Sequence, residues 1–276
     1  MKWILKTIAT CIFIFGLNVN ATPLQSPAFD ITTANSVDEA VTFITTTLHQ
    51  QKYEVLGVIN HQQNAANVGL TLRPTQVILF RKQNQERSLT RRSSTVAIDL
   101  PFKILVYEND SGEIKLKTND IGYYIDRHEI PIRETRLHQL DATLDQFGLN
   151  DNGLVHVKSQ QSVSDTIAKL RSVLEAAGFF IPFEINFNKR KNHPSNSTLL
   201  IFGNPNVGTL LMQNQQEIGI DLPQKFLVYS DHQGETHIIY NHPRFIAKRA
   251  GIQGLDTLLS NVTNALNNFA QQGSQP

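Results

Sequence analysis

The chain has 276 residues, 25 Lys and Arg against 24 Asp and Glu, a net charge of +1 at pH 7, and a single cysteine, Cys11. Such a balance gives nucleic acid or an anionic membrane nothing to attract. Because Cys11 sits inside an early apolar run, the rest of the chain has no disulfide, thiolate nucleophile or cysteine-ligated metal.

Lys2 and Lys6 precede the apolar run from Ile8 to Leu17, and Val19-Asn20-Ala21 supplies small residues of the kind a signal peptidase needs. The pattern predicts a signal peptide over residues 1–21, with an apolar run too short to span a bilayer. Without Lys2 and Lys6 the balance becomes 23 basic against 24 acidic, a net −1. The expectation is a secreted protein, periplasmic in a Gram-negative bacterium, with no stable membrane insertion after cleavage.

A short extended segment is predicted near Phe29 to Thr33. A helix then runs from about Val37 to Gln51, with Ser36 as N-cap and Val41, Ile44 and Leu48 on one face. Strands follow at Tyr53–Asn60, Gln76–Phe80, Phe102–Glu108 and Glu113–Thr118. Asn109-Asp110-Ser111-Gly112 turns the last two into a hairpin. Arg81 to Arg92 carries five basic residues without aromatic interleaving and reads as a solvated loop. Leu137, Leu140, Leu144 and Phe147 close this half as one helix face.

The same order then returns. Ile98-Asp-Leu-Pro-Phe-Lys-Ile-Leu-Val-Tyr107 reappears as Ile220-Asp-Leu-Pro-Gln-Lys-Phe-Leu-Val-Tyr229, eight of ten positions at an offset of 122. A period this long predicts two globular units. Their bounds are residues 22–150 and 151–276. The second is expected to have an extended segment at Leu154–Ser159, then a helix capped by Ser162 with Ile167, Leu170 and Leu174 on one face and Gly178 at its end. Strands follow at Phe179–Phe187, Thr198–Phe202, Gln224–Ser230 and Glu235–Asn241, the last pair turning at Asp231-His232-Gln233-Gly234. A helix carrying Leu259, Val262, Leu266 and Phe269 ends the unit. Ser36 matches Ser162 at an offset of 126, so the second copy lacks four residues where the first has His61 to Pro74.

The fold expected is α+β: two tandem strand-helix-four-strand-helix domains, antiparallel sheets with helices on one face. Each sheet's other face needs a cover, which the copies can give each other as an intramolecular pseudo-dimer with pseudo-twofold symmetry.

Phe202-Gly203-Asn204-Pro205 with Gly208-Thr209 and Leu211-Met212, then Asp221-Leu222-Pro223 and Tyr240-Asn241-His242-Pro243, resembles the bacterial and archaeal family called domain of unknown function 302. Copy one resembles the family's other segments through Ile59-Asn60-His61, Asn64-Ala65-Ala66 and Gly69-Leu70. The resemblance covers nearly the whole chain after the signal segment and implies a fold similar to TATA-binding-protein-like domains. It implies no reaction.

Neither copy has every motif. Copy one has Phe80-Arg81-Lys82-Gln83 in place of Phe-Gly-Asn-Pro and Thr118-Asn119-Asp120 in place of Tyr-Asn-x-Pro. Copy two has Phe187 in place of His61, and Asn60 stands where the family commonly has an aspartate. Either both copies have drifted, or the halves meet in one composite cleft, as ligand sites at domain interfaces do. The cleft would comprise His61, Asn64, Gly203, Asn204, Met212, Tyr240 and Asn241, with Lys103, Lys225, Asp99 and Asp221 as further charges.

Plainer roles compete for each residue. Gly203-Asn204-Pro205 can be a strand-ending turn, or can offer free backbone amides to an anion or carbonyl. Asp99 and Asp221 are expected to cap backbone amides. Lys103 and Lys225 can snorkel from an apolar face or face the cleft as fixed cations. His232, His237 and His242 lack ligand spacing, so no metal site is expected. The chain has neither a Gly-x-Ser-x-Gly elbow nor a Walker loop. No cofactor is expected, although the sequence leaves non-covalent haem through His61 or Met212 open. The reading is a protein that binds an unknown small molecule or protein partner in the groove between copies. The alternatives are an enzyme using His61, Asn204 and Tyr240, or a purely structural module.

Overall fold

The computed structural model describes residues 34–130, 152–187 and 196–276. The signal segment, the extended stretch at Phe29–Thr33 and the helix carrying Leu137 to Phe147 lie outside them.

In copy one, α1 (Val37–Gln50) begins at Ser36, whose Oγ accepts from the Glu39 amide at 3.1 Å, and it buries Val37, Ala40, Val41, Ile44 and Leu48. Next come β1 (Glu54–Asn60), α2 (His61–Ala66), β2 (Thr75–Arg81), α3 (Gln83–Thr90), a 3-10 turn (Ser94–Ile98), β3 (Phe102–Glu108), β4 (Ile114–Thr118) and α4 (Ile121–Arg127). Copy two runs β5 (Leu154–Ser159), α5 (Val163–Ala176), β6 (Phe180–Asn186), β7 (Ser197–Gly203), α6 (Pro205–Asn214), a second 3-10 turn (Gln216–Ile220), β8 (Gln224–Ser230), β9 (Thr236–Asn241), α7 (Pro243–Ala250) and α8 (Asp256–Gly273). The protein is therefore α+β, with a four-stranded antiparallel sheet ordered β1-β2-β3-β4 and a five-stranded one ordered β5-β9-β8-β7-β6. Among the described residues no helix is long and apolar enough to cross a membrane.

Both hairpin turns use one device. Asn109 Oδ1 accepts from the amides of Ser111 and Glu113, Asp231 Oδ1 from those of Gln233 and Glu235, and Gly112 and Gly234 take positive φ. One expected loop is corrected. Residues 83–90 form α3, because Glu86, Leu89 and Thr90 recur at helical spacing and are buried as α3 packs on the first 3-10 turn.

Each sheet buries both faces. Ile78 and Val106 pack with the apolar face of α1, and Leu200, Phe202, Phe226, Val228 and Tyr240 pack with α5 and α8. The alternate residues, Val77, Leu79, Leu105 and Tyr107 of one sheet and Leu199, Ile201, Leu227 and Tyr229 of the other, share one core. The second copy is the cover that each sheet needs. This two-sided burial is why the central strands β2, β3, β7 and β8 read as continuous apolar runs instead of alternating. Each 3-10 turn packs on the sheet of the opposite copy, Ser94–Ile98 on β7 to β9 and Gln216–Ile220 on β2 to β4.

Candidate functional site

A cavity of about 560 Å³ opens where copy one's α2 meets copy two. Asn60 ends β1 and caps α2, its Oδ1 accepting from the Gln63 amide at 2.8 Å. His61 therefore opens a helix that the sequence pattern between the first two strands did not predict. The following loop, where copy one has its extra residues, is pinned to copy two. Gln213 Nε2 donates to the Thr71 carbonyl at 2.6 Å, the Arg73 guanidinium donates to Gln216 Oε1 at 3.2 and 3.0 Å, and α2 packs against α6.

His61 and Asn64 form one wall of the cavity. Gly203, Asn204, Val207, Leu211 and Met212 form a second, Phe179, Phe180, Pro182 and Phe183 a third, and Leu258, Asn261, Val262, Ala265, Leu266 and Phe269 of α8 a fourth. Five sequence-predicted residues, His61, Asn64, Gly203, Asn204 and Met212, thus meet around one space. Gly203-Asn204-Pro205 is not merely a turn: Asn204 is the N-cap of α6 and Pro205 its first residue.

Two predicted residues do not reach the cavity. Tyr240 is 1 % exposed and packs in the core beneath α5 and α8, because the outward face of β9 is the buried one there. Asn241 instead accepts from Arg127 Nη2 at 2.7 Å. Tyr240 does not line the cavity, and no hydrogen bond links His61 to Asn204 among the described residues.

The expected charges form a separate cluster between the copies. Asp99 and Asp221 do not cap backbone amides. Arg127 Nη1 donates to both Asp99 oxygens, at 3.0 and 2.9 Å, and His128 Nε2 lies 2.6 Å from Oδ2. Arg249 Nη1 donates to Asp221 Oδ2 at 2.7 Å and its Nη2 to Asn119 Oδ1, so each arginine binds its own copy's aspartate and the other copy's asparagine. Arg127 also lies 4.8 Å over the Phe245 ring and Arg249 4.3 Å over Tyr123, each ring belonging to the opposite copy. Burial outweighed by Arg127 and His128 holds the Asp99 carboxyl far below the usual range. Lys103 and Lys225 neither snorkel nor face the cavity, since both are sealed between the sheets. Lys225 Nζ donates to the Asp221 carbonyl at 2.9 Å and the Pro223 carbonyl at 3.3 Å. Burial, then the neighbouring Lys103, pulls Lys225 down to about 7, so it is no fixed cation.

Sequence reasoning missed Arg127, Arg249 and Asn119. Their signal was present, because Arg127 and Arg249 lie 122 apart, as do Asn119 and Asn241. It also missed the grouping of Asp231, Glu235 and His237, whose ligand atoms lie within 4.8 Å of one another. Asp231 and His237 are already paired at 2.9 Å and Glu235 is bound by Lys158, so the grouping is explained by local contacts.

His61 is 4 % exposed, and burial, with the Lys225 charge adding to it, lowers its imidazole to about 4 despite the nearby Gly219 carbonyl. It is expected to be neutral throughout the physiological range. The His61 ring resonances followed by NMR should stay flat between pH 5.5 and 8, whereas a midpoint near 6.5 would show an open, solvated ring.

The cavity also depends on a missing side chain. A Cβ at Gly57 would lie 2.7 Å from Phe183 Cζ, so only glycine lets copy two's ring approach β1 of copy one. Gly57→Ala should cost about 1 kcal/mol by overpacking, read as a lower urea midpoint.

The family described as Domain of unknown function DUF302 matches residues 29–147 and 155–272. Fluoride-specific ion channel FluC 1 of Brucella suis is 34% identical over 109 residues, 36% of this chain and 41% of that protein. FluC 1 of Brucella abortus and FluC 2 of Brucella melitensis match at 34% identity over 109 residues, covering 36% of this chain and 38% of theirs. The chain thus spans about two fifths of the length of these curated relatives. A crystal structure of an uncharacterised conserved DUF302 protein from Bacillus stearothermophilus matches with a TM-score of 0.40 and 18% identity, over 44% of this chain and 97% of that one.

Proposed function

From the premise that the chain belongs to the DUF302 family and carries its domain in two tandem copies, we propose that it is an exported protein that holds a small molecule between the copies. The copies are read as related by a pseudo-twofold axis, which the reciprocal aspartate-arginine-asparagine contacts support. With α6 and the second 3-10 turn inserted between β7 and β8, and α7 before α8, the order of copy two still supports a strand-helix-four-strand-helix, TATA-binding-protein-like topology. Lys2, Lys6, the apolar run and Ala21 support export to the periplasm.

One observation carries the reading. A pseudo-twofold arrangement offers two equivalent places, and the copy-two counterpart of His61 is Phe187, whose ring packs with Leu89, Val96, Leu100 and Tyr124. Among the described residues the Phe187 ring takes the place that the His61 imidazole has in the other copy, and only the polar side chain of the two borders an open cavity walled by both copies. On this reading the motif split is a division of labour and not drift. Binding is favoured over turnover because an imidazole lowered to about 4 is a weak base and neither lysine reaches the cavity wall.

Native mass spectrometry of the protein purified from its own host tests this. The expected spectrum carries one additional mass per chain that is lost on denaturation and reduced by Asn204→Ala. A spectrum with only the bare chain mass, unchanged by that substitution, would count against the reading.

A further inference from the structure

We propose that the cavity's ligand is an uncharged molecule with a largely apolar body and at least one hydroxyl or N–H group; this rests on the binding reading above.

Among the described residues the walls contain no Asp, Glu, Lys or Arg. Behind the wall Arg127 is paired with Asp99 and Arg249 with Asp221, and Lys225, whose charge is felt at His61, is buried with its Nζ turned to the Asp221 and Pro223 carbonyls. A ligand carboxylate or ammonium would lose its hydration and meet no counter-charge. The amino terminus of α6, beside Asn204, is not a spare anion site either. The Asn206 amide is 3.0 Å from Asn204 Oδ1, the Val207 and Gly208 amides donate to the Asn204 carbonyl at 3.1 and 3.0 Å, and Pro205 has no N–H. The donors that normally receive a phosphate or carboxylate are already used.

The polar groups left over accept hydrogen bonds. His61 Nε2 and Gln224 Oε1, on two side chains of the wall, are buried and have no partner among the described residues. An amide oxygen only accepts, and a neutral imidazole always has one accepting nitrogen. Buried acceptors without partners favour a ligand that brings a donor. Phe179, Phe183 and Phe269 supply aromatic surface for its body, and Phe180, which lines the cavity while 71 % exposed, carries the apolar wall out to the surface. The volume lies within the range of small-molecule sites.

Two fluorescent probes with related ring systems separate the possibilities: uncharged N-phenyl-1-naphthylamine, which has one N–H, and anilinonaphthalene sulfonate, which has a fixed negative charge. Each is titrated into the full chain and into Ala265→Trp, whose added ring would fill the cavity from α8. Gly208→Leu is the second filling variant, because a Cβ there would meet only Leu222 Cδ1, at 3.8 Å. The expected result is saturable one-to-one binding of the neutral probe, at least tenfold tighter than the sulfonate and at least tenfold weaker in a folded filling variant. Equal or tighter sulfonate binding that the filling variants abolish would overturn the uncharged class and leave the binding reading standing. Failure of both probes to show any variant-sensitive binding would overturn both.

Discussion

Asp99→Ala is expected to lower stability by about 3–5 kcal/mol, the cost of leaving one partner of a buried ion pair alone. Asp99 is fully enclosed and the Arg127 side chain is 3 % exposed. Without the carboxylate, the guanidinium keeps only neutral partners, Asn241 Oδ1 at 2.7 Å, the Asn152 carbonyl at 3.0 Å and the Tyr123 hydroxyl at 2.5 Å. The equivalent change in copy two, Asp221→Ala, should cost about half as much, because the Arg249 side chain is 21 % exposed and water can replace part of the lost interaction. Urea midpoints of the two variants under identical conditions test this, and equal midpoints would remove burial as the cause. Since the folded Asp99 carboxyl titrates far below its unfolded value, its stabilisation is present at neutral pH and lost only as pH falls below about 4. Replacing both partners, as in Asp99→Leu with Arg127→Met, should recover much of the loss, because neither member of the pair is then left buried without the other.

The repeat made the fold legible, since every strand appeared twice with its own turn signal. The short helices were not legible. His61–Ala66, Gln83–Thr90, Ile121–Arg127 and Pro243–Ala250 each have eight residues or fewer, too few to be stable alone in water, so docking on the other copy or on a 3-10 turn decides them. Asp99 and Asp221 were recognised as a pair but assigned local partners, because the partners they actually have lie 28 positions away in each copy. The cavity escaped for a different reason. Val262, Leu266 and Phe269 fall on the predicted apolar stripe, and a stripe says which helix face avoids water without saying whether packed side chains or an open space will meet it. Half of the composite site could be read because the motifs were split between copies. Its aromatic wall could not, because Phe179 to Phe183 reads simply as the start of a strand.

Lys225→Met should stabilise the protein at neutral pH, which is unusual for a change at the centre of a core. Lys225 is 3 % exposed, and burial together with Lys103 lowers it from an ordinary 10.5 to about 7. At about 1.4 kcal/mol per pH unit, holding the charged form there costs the folded state roughly 5 kcal/mol at most. Losing its two hydrogen bonds to the Asp221 and Pro223 carbonyls subtracts about 1 kcal/mol each, leaving a net gain of about 2–3 kcal/mol near pH 7. The sign reverses the usual lysine case. Between pH 7 and 10.5 the unfolded chain holds this proton while the folded chain has released it, so wild-type stability rises with pH through that window. Methionine carries no proton to lose, and the variant's advantage should shrink to near zero by pH 9. Urea midpoints of wild type and variant at pH 7, 8 and 9 measure the difference. A constant gap would place the effect in packing, and a variant less stable at pH 7 would mean that the ammonium's attraction to Asp221 and Asp99 outweighs its burial.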